Sequence, residues 1–137
     1  HAIVENQEKL LLVKRTGSIL ESGKWSLPSG FLGRDETAGQ CILRELKEET
    51  GWDGEIVSLF RIVTDPYRPK EDRQNVSIEF IIKPHQLTGK PDSENSKVEW
   101  IPIANLFPFE EFAFDHGKSI ELYLKYRQKL FPLPLFV

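Results

Sequence analysis

The stretch from Thr37 to Gly51 constrains this chain more than any other. It is rich in helix formers, opens on a threonine suited to an N-cap and closes on a glycine suited to the C′ position, so it predicts a helix. At 100° per residue, Glu45, Glu48 and Glu49 fall within about a third of the helix circumference. Ala38 and Cys41, both small and apolar, lie on the same arc one and two turns earlier. The carboxylates therefore sit on a stripe that ordinarily faces protein. Like charges at this spacing cost roughly 0.2–0.5 kcal/mol per pair, and partial burial raises that cost. A hard divalent cation such as Mg2+ or Mn2+, which prefers oxygen donors, reverses the sign. For Arg44–Glu49 alone, a solvated charged face stabilised by Lys and Arg neighbours is the better account.

The surrounding sequence predicts a mixture of strands and helices. Ala2–Val4 and Lys9–Val13 are apolar runs separated by polar residues and form an expected hairpin. Thr16–Lys24 is a polar loop, and Trp25–Leu27 a short strand. Glu55–Thr64 and Val76–Ile82 are expected strands. Between them, Asp65–Arg73 carries two prolines and six charges and is expected to be exposed. Thr88–Lys97 is a turn-rich loop and Val98–Ile101 a short strand. Ile103–Phe114 is irregular, and Asp115 is the expected N-cap of a last helix ending near Lys129. The apolar tail Phe131–Val137 is expected to fold back onto the domain or to meet a second subunit in a homodimer. Strands interleaved with two helices give an α/β class with a mixed sheet.

Composition excludes several functions. A chain of 137 residues fits one domain, expected to span residues 1–137. Hydrophobic residues at 39% and charged residues at 28% exclude a disordered polymer. The formal charge of −3 argues against polymeric DNA or RNA as a partner. The longest apolar runs are too short to span a membrane, and no secretory signal opens the chain. With Cys41 as the lone cysteine, no internal disulfide forms, which suits a cytoplasmic location. The absence of methionine, and a start at His1 inside an expected strand, lead to the expectation that residues precede His1 in the natural protein.

The wider spacing around the acidic helix decides between the two accounts of it. Gly30, five residues, Glu36, seven residues, then Arg44, Glu45, Glu48, Glu49 and Gly51 match all seven fixed positions of the Nudix box. Chance agreement at one start point is on the order of one in a hundred million at ordinary residue frequencies. The chain is identified on this match as a member of the Nudix hydrolases, which it resembles over nearly its whole length. Trp52 stands where the family usually has an aliphatic residue. Ser29-Gly30 stands where two glycines are usual, and Gly33 where many members carry a further Glu.

The resemblance implies an α/β/α sandwich with a mixed β-sheet and a hydrolase acting on a phosphoanhydride bond. It implies that Glu45, Glu48 and Glu49 bind Mg2+ or Mn2+, with the Gly30 carbonyl as a further ligand. Glu36 and Arg44 take supporting roles, Arg44 orienting the carboxylates by charge-assisted hydrogen bonds. The ions neutralise phosphate charge and acidify water. The general base comes either from the box helix (Glu45, Glu48) or from a later loop, where Glu94 is the candidate.

Substrate signals are weaker. Thr64–Pro69 followed by Val76–Phe80, and Phe114-Asp115-His116, resemble stretches of small ADP-ribose pyrophosphatases of the family. Tyr67 suits stacking on a base and Arg68 a phosphate, while an ordinary exposed loop explains both equally. Trp25 and Phe31 flank the box as candidate pocket residues or core residues. His116 reads as a helix-start residue and Cys41 as a small packed one. The expected substrate is a small nucleoside diphosphate derivative, ADP-ribose first, giving AMP and ribose 5-phosphate. The alternatives are a nucleoside triphosphate pyrophosphohydrolase of the mutator-suppressing type and a non-catalytic nucleotide sensor, against which the intact box weighs.

Overall fold

The computed structural model describes residues 1–93 and 95–137. The elements run β1 (Ala2–Asn6), β2 (Lys9–Arg15), β3 (Trp25–Ser26), α1 (Ala38–Thr50), β4 (Trp52–Val63), β5 (Ser77–Leu87), β6 (Asn95–Pro102), α2 (His116–Gln128) and β7 (Leu135–Phe136), with single 3-10 turns at Ile103–Asn105 and Phe109–Glu111. The sheet order is β3-β2-β1-β5-β4-β7, with β6 on the other edge of β2. The β1–β5 and β4–β7 pairs are parallel and the rest antiparallel, so the sheet is mixed.

Side-chain alternation along the central strands builds one core on each face of this sheet. Ile3, Leu10 and Leu12 point to a core shared with Phe60, Ile120 and Tyr123, on the α2 side. Ala2, Val4 and Leu11 point to the opposite core with Ile42 and Leu46, on the α1 side. The molecule is thus an α/β/α sandwich. Because β2 is buried on both faces, Leu10–Val13 reads as a continuous apolar run rather than an alternating one. No helix among the described residues is long and apolar enough to cross a membrane.

Both ends of α1 have sequence-specific stops. Thr37 Oγ1 accepts from the Gln40 backbone N–H at 3.2 Å, and the Gln40 side chain accepts from the Thr37 N–H at 2.8 Å, closing a capping box. Gly51 turns left-handed at φ +78° and donates its N–H to Lys47 O at 2.8 Å.

Several boundaries differ from the sequence expectation. β4 starts directly after Gly51, not at Glu55, and β5 continues to Leu87. The two pair as one long hairpin with three register shifts; the first, between Trp52 and Gly54, absorbs Asp53, and Gly54 stands opposite Pro84. β6 reaches back to Asn95 because it pairs along the whole of β2. Asp115 stands at the N-cap of α2, but its side chain makes no cap hydrogen bond; two arginines claim it. The tail folds back, with Leu135–Phe136 parallel to β4.

Candidate active site

The box residues converge where the N-terminal loop of α1 meets its last two turns. Arg44 is the hub. Its Nε and Nη2 donate to the two oxygens of Glu36 at 3.0 and 2.7 Å, a bidentate pair. Its Nη1 donates to Glu45 Oε1 at 2.7 Å and to Glu48 Oε2 at 2.9 Å. Glu36 also accepts from the Gly33 N–H at 2.6 Å. The Arg44 guanidinium beside it, with that backbone bond, holds the Glu36 carboxyl at about 2. One arginine thus fixes the directions of three carboxylates and ties the loop to the helix.

Glu49 is different. It is buried and accepts a hydrogen bond from the Ser29 N–H at 2.8 Å. Burial pushes its carboxyl up to about 8, against the lowering effects of that bond and of the Asn95 side chain; the charges of Glu45 and Asp92 push the same way as burial. Gly30 packs against the Glu45 carboxylate: a Cβ built there would lie 2.0 Å from Glu45 Cδ.

Among the described residues, no three His, Cys, Asp or Glu side chains stand in a ready-made metal-ligating cluster. The donor set still fits a hard divalent ion. It comprises three carboxylates on one helix face, one of them buried with a single backbone donor, beside the open Gly30 backbone.

A cleft of about 940 Å³ adjoins this cluster. Glu45, Glu48, Glu49, Gly30 and Phe31 line one side, and Arg68, Glu71, Asp72, Arg73 and Asn75 of the β4–β5 loop line the other. Phe31 is 73% exposed, and the Arg73 guanidinium lies over its ring, 5.7 Å from the centroid.

The substrate candidates fare unequally. Phe31 lines the cleft, but Trp25 does not: it is buried, stacked on Phe107 at 4.9 Å with Lys14 over its ring, as a core residue. Tyr67 is 88% exposed and lies outside the cleft lining. Arg68 lines the cleft but is not the free phosphate-binding side chain expected of an exposed loop; it is buried and paired with Asp115 at 2.7 Å. Glu94 lies outside the described residues. His116 is buried at the start of α2 and accepts the Leu27 N–H through Nδ1 at 3.1 Å; burial, helped by nearby cations, holds its pKa well down. Cys41 packs on the helix face, its Sγ 3.4 Å from Phe31 O. The sequence did not single out Arg73 or Asp92 at the cleft, and nothing local distinguishes Arg73 from Lys70 in the same charged loop.

This fold and this cluster define a hydrolase built around a carboxylate-bearing helix. The NUDIX domain family matches residues 1–123, and the chain belongs to that family. It is 32% identical to an ADP-ribose pyrophosphatase of Methanocaldococcus jannaschii over 91% of this chain and 71% of that one. A NUDIX hydrolase structure from Nitrosomonas europaea superposes with a TM-score of 0.83 at 28% identity, covering 99% of this chain and 73% of that one. A bifunctional NMN adenylyltransferase/ADP ribose pyrophosphatase from Francisella tularensis, complexed with AMP and a Mn ion, superposes with a TM-score of 0.71 at 26% identity. It covers 90% of this chain and 39% of that one. Nudix hydrolases generally work with divalent metal ions.

Proposed function

We propose that this protein is a single domain over residues 1–137 that hydrolyses ADP-ribose with water to AMP and ribose 5-phosphate, using Mg2+ or Mn2+. The observation that carries the reading is the juxtaposition in one cleft of the Glu45–Glu48–Glu49 face with the Phe31–Arg73 pair. A volume of about 940 Å³ is at the upper end of small-molecule sites and suits a two-part nucleotide. The likeness to the archaeal ADP-ribose pyrophosphatase supports the same choice.

Glu45, Glu48, Glu49 and the Gly30 carbonyl would hold the ion. When bound, it supplies positive charge against the diphosphate and acidifies nearby water. Arg44 keeps Glu45 and Glu48 aimed, and Glu36 fixes Arg44 from the other side. Glu48, with its side chain half exposed, takes the proton of the attacking water. Phe31 offers the adenine the ring face that Arg73 does not cover, and Arg73 backs the ring from the β4–β5 loop.

The test is kcat/KM for ADP-ribose against each nucleoside triphosphate, with Mg2+ and with excess chelator. That ratio measures discrimination directly. ADP-ribose is expected to lead, with AMP and ribose 5-phosphate as products and no turnover in chelator. A triphosphate preferred tenfold, releasing a monophosphate and pyrophosphate, would replace the substrate. Full turnover in chelator would sink the metal assignment.

A further inference from the structure

The β4–β5 loop is held very differently at its root and at its far contacts. At the root, the Arg68 side chain is 5% exposed. Its Nη2 donates to Asp115 Oδ1 at 2.7 Å, and its Nη1 to Asn75 Oδ1 at 2.8 Å. Glu71 closes the ring, 3.5 Å from Arg68 Nη2 and accepting from Asn75 Nδ2 at 3.3 Å. The other Asp115 oxygen accepts from Arg61 at 2.9 Å, and Arg61 is locked to buried Glu79. The far contacts are weak ones at the surface: Lys70 near Glu21 at 3.4 Å, and Arg73 over Phe31.

Arg68 also lines a second cavity of about 660 Å³ on the α2 side, so it stands in the partition between that cavity and the cleft. Its Nη atoms are committed to Asp115 and Asn75, and its Nε is buried without a partner. Turning this guanidinium to a phosphate would strip Asp115 of half its pairing inside the protein, a costly exchange.

We propose that Arg68 and Asp115 are positioning residues, whose buried ion pair fixes segment 69–76 as the cleft wall enclosing the part of the substrate beyond the carboxylate cluster. The inference rests on the ADP-ribose reading for its substrate. The pair acts through Arg73 and the loop backbone. It therefore governs how tightly an extended nucleotide is held, while the Glu45–Glu48–Glu49 face governs the bond-breaking step.

The experiment compares Arg68→Gln, Asp115→Asn and the double variant. Each is checked by its Tm, by kcat and KM for ADP-ribose with Mg2+, and by tryptic cleavage after Lys70 and Arg73. Asp115→Asn keeps the Arg68 side chain but removes its charged partner, which separates the two roles Arg68 can have. The expected result is a KM about tenfold higher in both single variants, no further rise in the double variant, kcat within about twofold, and faster cleavage of the loop. If KM rises in Arg68→Gln but not in Asp115→Asn, Arg68 touches the substrate itself and the proposal falls. An unchanged KM with a loop as protected as in the wild type also overturns it. Asn75→Ala, which cuts the outer arm of Arg68 and leaves the buried ions intact, gives the same reading if a single variant does not fold. A wild type inactive on ADP-ribose would overturn only the substrate reading; the comparison then runs on the nucleotide that is hydrolysed.

Discussion

Two charged clusters lie on opposite faces of the sheet, and they are built on opposite principles. Around Arg61, two arginines meet two principal carboxylates, Glu79 and Asp115, all of them mostly or wholly withdrawn from water. Ser119 fills a remaining valence, accepting from Arg61 and donating to Glu79, both at 2.8–2.9 Å. Around Arg44, one arginine serves three carboxylates directly while Glu49 lies buried beside them. The first cluster matches its two arginines to two principal carboxylates, with Glu71 at its edge and Arg68 Nε left without a partner. The second is short of positive charge, and a buried acid whose carboxyl is pushed up to about 8 shows how poorly the protein alone solvates it. Balance suits a structural network, and deficit suits the cation site proposed above.

This contrast breaks first at Arg61. Arg61→Met leaves Glu79 and Asp115 without their shared partner inside the protein, and should destabilise the fold by about 3–5 kcal/mol. Urea unfolding reads this directly. A loss under about 1 kcal/mol would mean that the network is not structural.

At the other cluster the expectation is inverted. Glu48→Gln and Glu49→Gln should each lower kcat at least about a hundredfold, a loss of roughly 2.7 kcal/mol or more in the transition state. The metal-free fold should survive and, for Glu49, gain stability. Mg2+ at ten times its Kd should stabilise the wild type by about 1.4 kcal/mol, and this gain should vanish in Glu49→Gln. Wild-type activity in both variants would remove these residues from the site.

The smallest effect sharpens the comparison at the rim of the deficient cluster. Arg44 holds Glu36 at about 2, below its ordinary 4.5, so ionised Glu36 contributes stability above pH 4.5 and loses it as pH falls toward 2. Glu36→Gln should flatten that part of the acid limb. If its acid unfolding curve superimposes on that of the wild type across this window, the Glu36–Arg44 pair contributes nothing to stability.

The legible parts of this molecule were those carried by local rules. The ends of α1 follow from Thr37, Gln40 and Gly51, and the carboxylate face from helical periodicity. The doubly buried β2 announced itself as an unbroken apolar run. What stayed hidden depended on partners far away in sequence. Arg68 looks like any charge in a proline-containing loop until Asp115, 47 positions later, is seen to neutralise it. Asp115 looks like a helix cap until the two arginines claim its oxygens. Trp25 could face either way, and only Phe107 decides that it packs inward.

The fit of Glu45 against Gly30 carries a lesson for transplanting this chemistry. The helix with its glutamates is a convex half, and the Ser29–Gly30 backbone is the socket that receives it. A host scaffold given the helix alone would inherit the acids without their seat, and any side chain at the receiving position would push the first of them aside. The smallest portable unit is therefore the loop and helix together, residues 29–51, grafted as one block.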